Sequence, residues 1–313
     1  MTRLLTADIG GTTSRFAVFD VREGSPEVVW EASSPTAGAA RVEDIFERVL
    51  AEGSPVVPGA IACAVLAVAG PVTAGRHAKL SNAALEVDAE DIGKRFGLAR
   101  IVLINDFLAQ AYGCLSPAAK TAGIVQAGEP LPEAALAVVG AGTGLGHCAL
   151  IPDGSGGYLP APSEAGHAAF PFTVEETDVA RFIQRETGLP AAYVETVVSG
   201  PGLAILHKYF TGRALSPAEA AAELSPESPA AALFSRFYGR ACRNYVLACL
   251  ARGGLFVSGG VAAKNPFFVD SDAFRAEFQA CPAFGWLANV PVRLARREDF
   301  GLWGAAMYGL RMK

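Results

Sequence analysis

A strand, a glycine-rich turn and a second strand occur in this order twice, near the start of each half of the 313-residue chain. The first turn, 8–13, reads D-I-G-G-T-T, and the second, 140–146, reads G-A-G-T-G-L-G. Apolar runs on both sides of each turn predict strands. Helix-patterned segments and further strands follow in both halves. The repeat therefore predicts two α/β domains of related topology with a ligand cleft between them.

Apolar periodicity predicts the remaining secondary structure. Strands are predicted at 4–7, 15–19, 28–30, 61–68, 101–104, 135–139, 148–151 and 255–258, and helices at 42–52, 88–96, 107–114, 229–252 and 301–311. The segment 229–252 follows Ser228, a typical N-cap, and has Pro229 at its first helical position. Its apolar spacing indicates a core helix, although it could also offer a surface to a second copy of the chain.

Composition excludes several classes of function. The 26 basic and 31 acidic residues give a formal charge of −5, which disfavours a non-specific nucleic-acid binder. Six scattered cysteines without a C-x-x-C pair indicate reduced thiols in the cytoplasm and argue against a zinc site. No apolar run reaches the roughly 20 residues of a membrane span, and no secretory signal is recognisable. We therefore expect a cytoplasmic protein without a membrane or nucleic-acid partner.

Both glycine turns suit phosphate binding, although neither is a Walker A loop or a G-x-G-x-x-G motif. Glycine lets the backbone approach a ligand closely, and successive N–H groups can cradle phosphate oxygens. Asp8, at the end of the first strand, could hold Mg²⁺ through water. Each turn alone could be a plain hairpin. Two Gly-Thr turns in matching places favour ligand binding.

Asp106 is the candidate general base. It follows the apolar strand 101–104 and Asn105 and precedes a predicted helix, so it lies where α/β sheets usually bind ligands. A carboxylate there can accept a proton from a hydroxyl nucleophile. The alternative is that Asp106 only caps the helix. Asn105 is open to both interpretations, as a cap or as a ligand of sugar hydroxyls.

Six motifs in order resemble those of one family. They are D-I-G-G-T-T-x-R at 8–15, I-N-D-F at 104–107, G-A-G-T-G-L-G at 140–146, E-A-G-H at 164–167, S-G-P-G at 199–202 and S-G-G-V at 258–261. Together they resemble bacterial glucokinases of the non-ROK type, within the sugar kinase–heat-shock–actin superfamily, from residue 4 to about 310. The related ROK kinases typically carry a cysteine-rich zinc motif, which this sequence lacks, so no zinc is expected.

The resemblance implies a fold, a reaction and a set of partners. The fold would be two RNase H-like (actin-like ATPase) domains, the smaller formed by 1–115 with 298–313 and the larger by 116–297. The reaction would be ATP-dependent phosphorylation of the 6-hydroxyl of D-glucose, with Mg²⁺ as cofactor. A homodimer is also implied.

The resemblance also implies roles for individual residues. Asp106 would be the general base, and sugar hydroxyls would be bound by Asn82, Asn105, Glu164, His167 and Glu195. The β- and γ-phosphates and Mg²⁺ would be lined by Asp8, Gly10, Gly11, Thr12 and Thr13, and gripped from the other domain by Gly142, Thr143 and Gly144. Gly259 and Gly260 would lie near the adenosine.

The sequence departs from the family at two positions. Ala165 stands where E-G-G-H is more common, and Thr13 stands where the family more often has asparagine. Both changes are small. We expect phosphate to bind still, with an altered ligand affinity. The sequence leaves three alternatives open: a kinase of another hexose or with polyphosphate as donor, a non-catalytic sugar sensor, and a nucleotide-binding protein without transfer.

Overall fold

A computed structural model describes residues 2–51, 54–57, 59–81 and 83–312 and confirms the predicted α/β class. The chain forms two compact units. Met1–Lys120 and Glu298–Lys313 make up the first unit, and Thr121–Arg297 make up the second. The first unit is therefore built from two separate stretches of sequence, whereas the second is continuous.

Fourteen strands and eleven α-helices are assigned within the described ranges. The strands are β1 (Thr2–Ile9), β2 (Thr13–Arg22), β3 (Ser25–Pro35), β4 (Cys63–Val68), β5 (Val72–Thr73), β6 (His77–Lys79), β7 (Glu86–Asp88), β8 (Ile101–Asn105), β9 (Gly123–Gln126), β10 (Leu136–Ala141), β11 (Leu145–Pro152), β12 (Tyr158–Ser163), β13 (Gly254–Ser258) and β14 (Val292–Leu294). The helices are α1 (Val42–Leu50), α2 (Ala89–Phe96), α3 (Asp106–Gly113), α4 (Thr177–Thr187), α5 (Val194–Val197), α6 (Gly200–Thr211), α7 (Pro217–Glu223), α8 (Pro229–Ala248), α9 (Gly260–Lys264), α10 (Asp272–Gln279) and α11 (Phe300–Arg311).

The two units have the same strand order around their glycine turns. The first sheet runs β3-β2-β1-β4-β8, and the second runs β12-β11-β10-β13-β14 with β9 added at its edge. In each, the strand before the glycine turn pairs antiparallel with the strand after it and parallel with the next one inward. The predicted similarity of the two halves is therefore present in the sheet topology. A separate three-stranded sheet, β5-β6-β7, completes the first unit.

Apolar side chains cover both faces of the first sheet. Leu5, Ala7 and Ile9 of β1 pack into one core with α1 and α2, while Leu4 packs into the other core with α11. This alternation is the period-two pattern of a strand that is buried on both sides. The carboxyl ends of the parallel strands β1, β4 and β8 therefore come to the same edge of the sheet.

Helix α8 ends four residues earlier than the sequence predicts, at Ala248 instead of 252. Leu250 adopts a left-handed φ of 51°, and the N–H of Ala251 donates to the carbonyl of Val246 at 2.9 Å. This hydrogen bond is the usual closure of a helix C-terminus. The sequence signal was misleading because glycine is the typical residue there, and Gly253 lies three residues beyond Leu250.

Helix α8 belongs to the core of the second unit. Twelve of its twenty residues are buried, among them Phe234, Phe237 and Tyr238. Of the two possibilities raised by its apolar spacing, the structure thus supports the core. None of the helices in the described ranges is long and apolar enough to cross a membrane. All six cysteines are free thiols.

Candidate active site

The first glycine turn and Asp106 meet at one edge of the first sheet. Asp8 is the penultimate residue of β1, and Asp106 is the first residue of α3, directly after β8. The register places Ile9 opposite Val68 and Val68 opposite Asn105. Both carboxylates therefore lie at the carboxyl ends of parallel strands, the usual position of ligands in such sheets.

Asn105, and not Asp106, caps helix α3. Its Oδ1 accepts the N–H groups of Phe107 at 2.9 Å and Leu108 at 3.3 Å, and its Nδ2 donates to the carbonyl of Gly70 at 3.2 Å. The alternative that Asp106 merely caps the helix is therefore wrong, because a neighbour already supplies the cap. The side chain of Asn105 also hydrogen-bonds the carboxyl of Asp106, so it helps to position the candidate base.

Both carboxyl groups at this edge hold their protons unusually tightly. Burial, reinforced by the negative charge of Asp8, raises the pKa of Asp106 to about 7. Burial also raises the pKa of Asp8 to about 6, although the positive charge of Arg15 acts against it. Clusters of such perturbed carboxyls are typical of functional sites.

The turn between β1 and β2 is held in place by backbone hydrogen bonds. The N–H of Gly10 donates to the carbonyl of Thr13 at 3.3 Å, and the carbonyl of Thr12 accepts from the N–H of Thr36 at 2.9 Å. A methyl group at Gly10 would lie only 3.1 Å from that Thr13 oxygen. Gly11 is half-buried and Thr12 is exposed, so the outer side of the turn is accessible to a ligand.

The chemistry of Asp8 suits a hydrated divalent cation. Its carboxylate is a hard oxygen donor, and a cation would relieve its repulsion with Asp106. Across the ranges that the structure covers, no three His, Cys, Asp or Glu side chains gather into a metal-binding group. Mg²⁺ commonly takes only one or two protein carboxylates and keeps several waters, so this donor set fits Mg²⁺.

The second glycine turn, between β10 and β11, is closed on itself and supported from α6. The N–H of Gly142 donates to the carbonyl of Gly144 at 2.9 Å, and the carbonyl of Gly142 accepts from the N–H of Gly200 at 2.8 Å. Ser199 caps α6 by accepting from the N–H of Gly202. The S-G-P-G motif therefore fixes the turn, a role that its sequence alone did not indicate. Thr143, at the tip of the turn, is exposed.

Three polar side chains gather beside this turn. His167 lies with its Nδ1 3.3 Å from Oε1 of Glu195 and its Nε2 3.7 Å from Oε2 of Glu164. A methyl group at Gly144 would approach Oε2 of Glu195 to 2.8 Å, and one at Gly166 would approach the carbonyl oxygen of Leu145 to 2.5 Å. The glycines thus allow the cluster to lie directly against the turn. The side chains of Glu164 and His167 are 91% and 60% exposed, so both are available to a ligand.

The ends of β10 and β13 are joined beneath the turn by a buried tyrosine. The hydroxyl of Tyr238 accepts the N–H of Ala141 at 3.1 Å and donates to the carbonyl of Ser258 at 3.4 Å. Gly259 follows with a φ of 87°, and a side chain there would meet the Ala141 carbonyl oxygen at 2.5 Å. A Cβ at Gly260 would have no neighbour within 4 Å, which leaves its surface open.

The structure brings together most of the predicted site residues within each unit. Asp8, the first glycine turn, Asn105 and Asp106 share one edge, and the second glycine turn, Glu164, His167, Glu195 and Gly259 share the corresponding edge of the second unit. Asn82 lies outside the described residues.

Two side chains near Asp8 were given no role in the sequence analysis, although Arg15 is the last residue of the first motif. Arg15 is the cross-strand partner of Asp8 in β2, and Gln110 lies one helical turn after Asp106. The strand alternation and the i, i+4 helical spacing are the signals that could have found them.

Comparisons with known proteins identify the family and the fold of the chain. The sequence model of the Glucokinase family matches residues 5–312. A glucokinase of Nostoc punctiforme is 30% identical over 346 aligned positions that cover 100% of both chains. A crystal structure of a glucokinase from an Antarctic psychrotroph superposes with a TM-score of 0.84 at 27% identity and full coverage of both chains. A ROK hexokinase from Thermus thermophilus has the same fold, with a TM-score of 0.68 at 19% identity over 98% of each chain.

Proposed function

Because the chain belongs to the glucokinase family, it is an enzyme that phosphorylates glucose with ATP, and we propose that Asp106 is its general base. The observation that supports this role most directly is the carboxyl group at the sheet edge whose pKa is raised to about 7. A base works best when its pKa lies near the operating pH. The cap on α3 comes from Asn105, so Asp106 is not needed for it.

In the proposed step, the carboxylate of Asp106 accepts the proton of the glucose 6-hydroxyl. The hydroxyl oxygen forms a bond to the γ-phosphorus of ATP, and the bond to the β-γ bridging oxygen breaks to release ADP. Phosphoryl transfer depends more on positioning and charge stabilisation than on strong base catalysis. Asp106 therefore acts mainly by orienting the hydroxyl and takes its proton late.

We propose that four further described residues bind the sugar hydroxyls. Glu164, His167 and Glu195 offer exposed or half-buried polar atoms within one cluster. Asn105 lies beside Asp106 at the sheet edge and would exchange its hydrogen bond with Asp106 for one to the sugar. The family resemblance adds Asn82 to this set. Hydroxyls both donate and accept hydrogen bonds, so a site of carboxylates, an imidazole and amides discriminates against sugars that lack one.

The two glycine turns are the proposed phosphate sites. Gly10, Gly11, Thr12 and Thr13 would line the β- and γ-phosphates in the first unit, and Gly142, Thr143 and Gly144 would bind phosphate oxygens in the second. Gly259 and Gly260 would accommodate the adenosine. Asp8 would hold Mg²⁺ through water, and the cation would supply charge neutralisation at the transferring phosphate.

Three finer assignments are also proposals. The shared strand order supports two RNase H-like domains. We assign the first glycine turn and Asp106 to the first domain, and the second glycine turn with Glu164, His167 and Glu195 to the second. The scattered cysteines, which lack the zinc motif typical of ROK kinases, support the non-ROK type. Six free thiols fit a cytoplasmic protein.

The proposed homodimer has less support from the structure than from the family resemblance. Helix α8 offered a possible interface in the sequence, but it is occupied in the core of its own unit. The apolar face of α8 is therefore not available to a second copy of the chain. Analytical ultracentrifugation at micromolar concentration distinguishes a species of about twice 32.4 kDa from a monomer.

The test of Asp106 separates catalysis from binding. Asp106→Asn should lower turnover by at least about 10²-fold, the usual contribution of a general base, while glucose affinity measured by calorimetry stays within a few-fold of the wild type. The exposed Asp178→Asn serves as a control for loss of a carboxylate. Near-normal turnover of Asp106→Asn would refute the assignment. An assay across hexoses and phosphoryl donors tests specificity, and we expect glucose and ATP to be preferred.

A further inference from the structure

The segment that follows Arg297 controls the surroundings of Asp8, and we propose that Gly301 and Glu298 are positioning residues for the Mg²⁺ site. The proposal rests on the proposed function of Asp8 as the residue that holds Mg²⁺. It assigns a role in the reaction to the last helix, which contains no residue of the proposed site itself.

Gly301 lies directly against the carboxylate of Asp8. A Cβ at this glycine would lie 3.0 Å from Oδ2 of Asp8 and 3.1 Å from Nε2 of Gln110. Both distances are shorter than an ordinary van der Waals contact with carbon. A side chain at this position would therefore displace the carboxylate, the amide or both by a few tenths of an ångström. The backbone of α11 at this glycine thus packs directly against the two polar groups.

The close approach of α11 to α3 explains why the backbone at Gly301 lies so near these side chains. At Gly304, one turn further along α11, a Cβ would lie 1.7 Å from the carbonyl oxygen of Ala109 in α3. Gly301 and Gly304 share one face of α11, because residues three apart in a helix are neighbours. Gly304 serves packing alone, since its neighbours are backbone atoms of α3. Gly301 differs because its neighbours are the functional ends of polar side chains.

The same segment also contacts Arg15, the positively charged residue beside Asp8. Arg15 is the cross-strand partner of Asp8, so both side chains project from the same face of the sheet. The guanidinium of Arg15 donates to Oε2 of Glu298 at 2.5 Å. Glu298 is thus the ion-pair partner of the arginine that lies across from Asp8. One short segment sets both the position of the carboxylate and that of its positively charged neighbour.

The proposal predicts a selective defect in the cation-dependent part of nucleotide binding. ADP affinity is measured by calorimetry with Mg²⁺ and again with EDTA. The dissociation constant in EDTA divided by the dissociation constant in Mg²⁺ is the ratio that reports the contribution of the metal. Gly301→Ala should reduce this ratio about tenfold, the usual effect of disturbing groups that orient a metal ligand. Glucose affinity without nucleotide and the unfolding temperature should remain close to those of the wild type.

Gly309→Ala is the matched control on the same helix. Its new methyl would meet only apolar side-chain atoms, 3.2 Å from Val65 and 3.4 Å from Leu4. The ratio should therefore be unchanged. A Gly301→Ala variant with the wild-type ratio would overturn the role of Gly301. So would a Gly301→Ala variant that loses stability together with affinity for ADP in EDTA, because a packing role alone predicts that result.

Glu298→Gln tests the second contact against Glu90→Gln. The two carboxylates are equally exposed, and each holds a cation at 2.5 Å, Arg15 in one case and Lys94 in the other. Glu298→Gln should lower the ratio about threefold. This effect is smaller than that of Gly301→Ala, because Arg15 acts only indirectly on the metal. Glu90→Gln should leave it unchanged, and equal ratios in both variants would refute the role of Glu298.

Asp8→Asn separates this proposal from the proposed function. If ADP affinity depends on Mg²⁺ in the wild type and not in Asp8→Asn, the metal site at Asp8 stands, and the Gly301 and Glu298 variants then decide the positioning roles. If the wild type and Asp8→Asn show the same dependence on Mg²⁺, the metal assignment of Asp8 fails, and the positioning roles fail with it.

Discussion

The pKa values of Asp8 and Asp106 imply that the proposed catalytic edge is a destabilising feature of the ligand-free protein. Both carboxyls have a raised pKa because burial disfavours their charged forms. A carboxyl whose pKa is higher in the folded than in the unfolded state favours folding at low pH and opposes it at high pH. For Asp106 the cost develops between its unfolded pKa of 3.8 and its folded pKa of about 7.

Replacing Asp106 with asparagine should therefore stabilise the protein above neutral pH. Without nucleotide or metal, we expect Asp106→Asn to raise Tm by about 2–5 °C at pH 8. At pH 5 most of the difference should vanish, because Asp106 is then largely protonated in the folded state. Thermal melts at both pH values provide the test, with exposed Asp178→Asn as the control. A variant whose Tm equals that of the wild type at pH 8 would show that the buried charge costs nothing.

Gly144 sets the distance between the second glycine turn and the sugar cluster. Gly144→Ala places a methyl group 2.8 Å from Oε2 of Glu195 and should push this carboxylate away from its ligand. Loss of about 1 kcal/mol from one charge-assisted hydrogen bond corresponds to a roughly fivefold weaker affinity for glucose. Calorimetry without nucleotide measures the dissociation constant for glucose. Gly285→Ala, whose methyl would meet nothing within 4 Å, should bind glucose normally.

At the scale of elements, a buried ionic network joins α8 to α10 and to the turn before α4. Arg240 of α8 is 3% exposed. It donates to Glu176 at 2.5 Å and 2.9 Å and to Glu277 of α10 at 2.8 Å. Its guanidinium also lies over the rings of Phe170 and Phe237. These contacts compensate the desolvation of all three charged groups, so removing one of them exposes the cost of the others.

Arg240→Ala should consequently destabilise the second unit by about 3 kcal/mol, because it removes the buried arginine that binds the buried Glu176 through two hydrogen bonds and joins it to the half-buried Glu277. Urea denaturation measures the free energy of unfolding. Arg213→Ala is the control, since it removes an exposed arginine that pairs with Glu223, and exposed pairs contribute little. Similar losses in both variants would contradict the importance of burial.

Elements were predictable from sequence where local patterns determine them. The apolar run 61–68 predicts β4, and the structure differs only in starting the strand at Cys63. The strand 28–30 was predicted too short, because β3 extends over Ser25–Pro35 as an edge strand with exposed polar residues. Its partner β2 fixes its length through the ladder of hydrogen bonds, and a single-sequence pattern does not reveal such a partner.

At the scale of the whole molecule, the repeated glycine turns predicted the repeated strand order because each turn is a local signal within its own unit. The family resemblance likewise assigned Asp8, Asp106 and Glu195 from short motifs. The positions of Gly301 and Glu298 depend instead on a segment nearly 300 residues away from Asp8 in sequence. The resemblance assigns 298–313 to the first domain, but which of its residues lie beside Asp8 depends on the packing of α11 against β1 and α3.

The two units should differ in their ability to fold after truncation. The first unit takes Leu302, Ala305 and Ala306 of α11 into the core that also contains Leu4 and Val65. The core of the second unit lies entirely within Thr121–Arg297.

A chain that ends at Arg297 should therefore lose the first unit and keep the second. Without α11, the face of the first sheet that contains Leu4 and Val65 becomes exposed, and burying this apolar surface is a dominant contribution to stability. Hydrogen exchange should show rapid exchange in β1 and β4 with protection retained in β10 and β13. The isolated segment 121–297 should unfold cooperatively, as expected for a continuous unit with its own core. Removal of 312–313 alone serves as the control and should leave both sheets protected. Protection of β1 in the chain that ends at Arg297 would show that the first unit folds without its last helix.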